Sequence, residues 1–90
     1  MNLRVIKKDI EFLVGDFVED CLMFAAFHPE KDAAEVEKLI NGANELANNL
    51  FEKVNHPAKD ANKRAWYKNV GKELIEGLDD LCKKLSDLAK

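Results

Sequence analysis

The chemistry of this chain rests on few residues: two histidines, two cysteines, one serine and no threonine in 90 residues. His28 and His56 stand in a repeated five-residue phrase, His28-Pro29-Glu30-Lys31-Asp32 and His56-Pro57-Ala58-Lys59-Asp60. Matching histidine motifs invite a metal-site reading. However, a residue before proline is pushed out of the helical region and proline cannot continue a helix, so each phrase is a stop and a restart. A full helix separates the two histidines, so they cannot share one ion within a chain. Glu52 and His56, a four-residue step apart, offer too few ligands, and no Glu-x-x-His pair, paired metal-ligand cysteines or glycine-rich phosphate loop is present.

Nucleophilic chemistry has equally little to work with. Ser86 lies in a lysine-rich stretch with no histidine nearby, which leaves hydroxyl catalysis without a base. Cys21 and Cys82 fall within helical patterns and read as reduced, buried thiols with no bridge. Asp20, at the border of an apolar stripe, is the one carboxylate that burial would raise, and it is expected to reach solvent. The expectation is a non-enzymatic protein with no cofactor and no metal.

Three helices follow from the punctuation. Leu3, Ile6, Ile10, Leu13, Phe17, Cys21 and Phe24 recur at three- and four-residue steps, which predicts a helix over 2–27. Val36, Leu39, Ile40, Ala43, Leu46, Ala47, Leu50 and Val54 repeat the pattern behind an Asp32-Ala33-Ala34-Glu35 capping box and predict a helix over 32–55. Tyr67, Gly71, Leu74, Leu78, Leu81, Leu85 and Leu88 alternate in the manner of a coiled-coil seam and predict a helix over 60–88. Short connections force antiparallel neighbours, so the expected fold is a single all-α domain, residues 1–90, an up-down-up three-helix bundle that can dimerise into a larger one. Helices 1 and 3 then run parallel.

Composition bounds the partners. The chain is 47% hydrophobic and 34% charged, which suits a folded helical protein, and its net charge of −3 gives no global field that would collect it on nucleic acid or an anionic membrane. The longest apolar run, Cys21 to Phe27, falls far short of the roughly 20 residues a membrane span requires. Asp9 and Glu11 follow closely on Arg4, Lys7 and Lys8, unlike the basic-then-apolar order of a signal peptide, and the expected location is cytoplasmic.

Three surfaces could carry function. On helix 1, Val5, Phe12, Met23 and Phe27 fall on a flank beside the core stripe, an apolar surface in excess of what one seam needs. Aromatic and thioether side chains dominate contact energy, so this flank is the expected partner-binding face, most simply for a second copy, unless a neighbouring helix covers it. Gly15, Gly42, Gly71 and Gly77 fall near one level of the bundle, where small residues either accept Phe17 or leave a small apolar pocket lined by Phe17, Ala43, Ala47 and Gly71. Lys59, Lys63, Arg64, Lys68 and Lys72 make a basic stretch that also holds Trp66 and Tyr67. Arg64, Lys68 and Lys72 share one stripe away from both aromatics, which argues against nucleic acid, and the duller expectation is charge pairing with Glu45 and Glu52 of helix 2. The leading functional expectation is an interaction module that self-associates through helix 1. The alternatives are a carrier of small apolar ligands and a regulator that meets an anionic partner through Arg64, Lys68 and Lys72.

Overall fold

A computed structural model describes residues 3–90, with side chains from Arg4 onward. It contains three helices that pack pairwise as an all-α bundle: α1 (Leu3–Phe27), α2 (Ala33–Asn55) and α3 (Lys63–Ala89). The expected start of the first helix at Asn2 and the Leu3 side chain lie outside the described residues.

The helix ends follow from local hydrogen bonding. The Asp32 carboxylate accepts from the Ala34 N–H at 2.9 Å and caps α2. The other half of the expected capping box is absent, because Glu35 turns outward to pair with Lys38 at 3.1 Å. α3 begins three residues later than expected. Its cap is Asn62, whose side-chain oxygen accepts from Arg64 and Ala65, while Asp60 sits in the preceding turn.

Both copies of the repeated phrase begin alike, the His28 and His56 N–H groups each bonding a helix carbonyl four residues back at 2.9 Å, and they differ in where the turn opens. In the first copy His28 opens the turn, its carbonyl accepting from Lys31 at 3.0 Å. In the second copy His56 is the C-cap of α2 and the equivalent turn opens later, at Ala58, whose carbonyl accepts from Ala61.

One core joins all three helices. α1 contributes Ile6, Ile10, Val14, Phe17 and Cys21, α2 contributes Val36, Leu39, Ala43, Ala47, Leu50 and Val54, and α3 contributes Val70, Leu74 and Leu81. Among the described residues no polar side chain is buried. Close packing of α2 on α3 is set by two glycines. A methyl group on Gly42 would meet Leu81 at 3.3 Å, and one on Gly77 would meet Leu46 at 2.8 Å, so each helix offers a bare backbone to a leucine of the other. The four glycines expected near one level are thus divided, since Gly15 and Gly71, the latter expected to face inward, face open space.

The charge pairing differs from the expectation. Glu45 and Glu52 do not meet the basic stripe of α3. The pair that joins α2 to α3 is Lys53 with Glu73, whose two carboxylate oxygens lie 2.7 and 2.8 Å from the ammonium. Lys72 turns to Glu76 along its own helix, and Glu52 lies nearest His56. Rotation keeps Glu52 off the α2–α3 contact that Lys53 enters, while Glu45 lies further along α2, beside Gly77 and Asp80 rather than Arg64, Lys68 or Lys72.

Candidate interaction face on helix α1

The two sides of α1 are unlike. At about 100° per residue, the helix turns Ile6, Ile10, Val14, Phe17 and Cys21 to one side, and these are the residues the bundle buries. Val5, Phe12, Met23 and Phe27 project elsewhere and are 48, 69, 57 and 72% exposed, so neither α2 nor α3 covers them. Leu22, at 56%, belongs to the same exposed surface, and α3 adds Ile75 at 59%. Sequence spacing does not single these two out: Leu22 follows directly on buried Cys21, and Ile75 follows directly on the core residue Leu74.

The polar residues of α1 sort by sign along its length. Arg4, Lys7 and Lys8 occupy the first turns, and Asp9, Glu11, Asp16, Glu19 and Asp20 follow with no cation among them. Within the described residues, Lys7, Lys8, Asp16, Glu19 and Asp20 form no ion pair. On the other helices such pairs recur, as in Lys83 with Asp79 at 3.0 Å and Lys84 with Asp80 at 3.1 Å.

Of the other expected sites, Phe17, Ala43 and Ala47 are buried in the core. Gly71 instead lines a surface groove between α1 and α3 with Asp9, Leu13, Lys68, Lys72 and Ile75. A second groove runs between α2 and α3 over Gly42, Leu39 and Leu81, with Glu35, Lys38 and Lys84 at its rim. Arg64, Lys68 and Lys72 are exposed. Trp66 and Tyr67 are half-buried, packed against the core away from the three cations.

The chemistry-bearing residues stay apart. His28 stacks on Phe24 with ring centroids 4.7 Å apart and places Nδ1 3.3 Å from Glu30. Glu30 is held below the usual carboxylate range, first by a backbone hydrogen bond and then by His28. His56 lies at the far end of α2, roughly 34 Å away at 1.5 Å per residue. Both cysteines are free thiols. Cys21 is buried as expected, but Cys82 is exposed, because it sits on the α3 face turned away from the core centre. Desolvation pushes both thiols up, and the Asp20 carboxylate adds to each shift. Asp20 itself is exposed. Among the described residues no cluster of three metal-ligating side chains forms, and no helix is long and apolar enough to cross a membrane.

The arrangement of α1 suits binding of a complementary surface: apolar side chains held on a rigid helix, beside charges such as Lys8, Asp16, Glu19 and Asp20 that form no ion pair among the described residues. In comparisons with known proteins, no family model, curated protein or solved structure matches this chain.

Proposed function

We propose that this chain is a non-enzymatic interaction module of the cytoplasm that self-associates through the outer face of α1. The observation that carries the reading is the exposure of Val5, Phe12, Met23 and Phe27 on the one helix whose opposite side already supplies five core residues. Large exposed apolar side chains concentrated on one element mark interaction sites, since isolated ones are ordinary and grouped ones cost solubility. A bundle of 90 residues has little core, and association adds buried surface that the single chain lacks. Free Cys21 and Cys82 suit a reducing compartment.

Light scattering across a dilution series tests this. The expected species is a dimer of about 20 kDa, twice the 10.2 kDa chain, that dissociates on dilution. Phe12→Glu with Met23→Glu should give a monomer of unchanged helicity. A wild-type monomer at every concentration overturns the reading.

A second reading has one observation in its favour. The groove between α1 and α3 has an apolar lining of Leu13, Gly71, Leu74 and Ile75 with Lys68 and Lys72 at its edge. It suits a small apolar ligand, and thermal stabilisation by such ligands, lost in Gly71→Leu, would support a carrier.

A further inference from the structure

We infer that two copies of this chain dock antiparallel through α1, in the register that places Phe12 of each over Gly15 of the other. The inference rests on the self-association reading and adds its geometry. Val5, Lys8, Phe12, Gly15, Glu19, Leu22 and Ala26 recur at alternating steps of three and four, a heptad seam, and every one of them is exposed. The seam lies on the opposite side of α1 from its core residues.

The order of residues along the seam selects the direction. In an antiparallel pair, layers form between residues whose numbers have a constant sum, and here a sum of 27 pairs every seam residue from Val5 to Leu22. Val5 meets Leu22 of the partner subunit, Lys8 meets the partner's Glu19, and Phe12 meets the partner's Gly15. The last layer is a fit of shape. A Cβ on Gly15 would have nothing within 4 Å, so the backbone there is bare and open, and it accepts the exposed Phe12 ring. The Lys8 layer is a fit of charge, between two residues that form no ion pair among the described residues. Met23 closes the end of the seam beside Val5 of the partner subunit.

The flank agrees with the seam. Asp9 and Leu13 share a groove with Lys68 and Lys72, and Asp20 influences Cys82, so α3 runs parallel to α1 with its basic start beside the basic start of α1. In the antiparallel register those cations pass over the partner's Asp16 and Asp20. A parallel pair would instead set Lys8 on Lys8 and Glu19 on Glu19, with the acidic stretches side by side.

Charge reversal with sedimentation equilibrium tests the register, with circular dichroism as the control for folding. Lys8→Glu alone and Glu19→Lys alone should each weaken the dimer about tenfold, because each converts two attractions into two repulsions. The double variant Lys8→Glu/Glu19→Lys should restore wild-type affinity. Single variants that dimerise as tightly as wild type, or a double variant that stays weak, overturn the register and leave self-association standing. A monomeric wild type overturns self-association and the register with it.

Discussion

Trp66 donates its indole N–H to the carbonyl oxygen of Lys53 at 2.7 Å, tying the first turn of α3 to the last turns of α2. Carbonyls at the end of a helix have no partner within the helix, and this one is satisfied from across the bundle. The Lys53 ammonium meanwhile holds Glu73. One residue of α2 thus fastens α3 at two points, by its backbone and by its side chain.

Trp66→Phe keeps an aromatic ring against the core and removes the donor. The Lys53 carbonyl is then left half-buried without its partner, a loss of about 1–2 kcal/mol. Thermal unfolding should show a fall of about 4–16 °C for a domain of this size. Lys53→Met should cost less than 1 kcal/mol, because the ion pair is partly open to solvent.

The glycines separate by what surrounds them. Gly71→Ala adds a methyl group in open space and removes mid-helix flexibility, so it should stabilise the fold by about 1 kcal/mol in urea titration. Gly77→Ala gains the same propensity but drives its methyl into both terminal carbons of Leu46. It should be neutral or destabilising.

Two phenylalanines of α1 should respond in opposite ways. Phe17 is 3% exposed and its replacement by alanine should cost about 3–5 kcal/mol, enough to unfold much of the population at 37 °C. Phe12→Ala, measured at concentrations where the chain is a monomer, should change stability by less than about 0.5 kcal/mol. Chemical denaturation of both variants at high dilution makes the comparison.

The thiols should differ in access and share a pH dependence. Exposed Cys82 should react with a thiol reagent in the native state, and Cys21 only on unfolding. Both folded-state pKa values lie above the ordinary 9.0, so the native chain keeps protons that the unfolded chain releases. The stability this gives is complete below pH 9 and is lost as pH rises through the raised values. Cys21→Ser/Cys82→Ser should flatten that alkaline decline.

The helices were legible because their signals are local. Apolar steps of three and four, with His28-Pro29 and His56-Pro57 as stops, placed α1 and α2 to within a residue at each described end. The start of α3 was misplaced because Asp60 and Asn62 are both good caps, and the choice between them depends on where the turn opens. The outer face of α1 was legible in part, since Val5, Phe12, Met23 and Phe27 stood apart from the core spacing. Rotation of one helix against another was not legible. That rotation decides that Lys53 rather than Glu52 meets α3, that Phe17, Ala43 and Ala47 are buried while Gly71 opens on a groove, and that Cys82 faces solvent.

The exchange of Gly42 for Leu81 and Leu46 for Gly77 sets the two helices like a key in a lock. In each helix the small and the large residue stand four apart, one turn. Sliding α3 by a turn in one direction brings Leu46 onto Leu81, too bulky for the spacing, and in the other brings Gly42 onto Gly77, leaving a void. Both displaced states are penalised by side chains in the helices themselves, so the alignment of α2 with α3 does not depend on the length of the connection between them. Residues inserted after Pro57 should lengthen that turn and leave every contact of the hairpin in place.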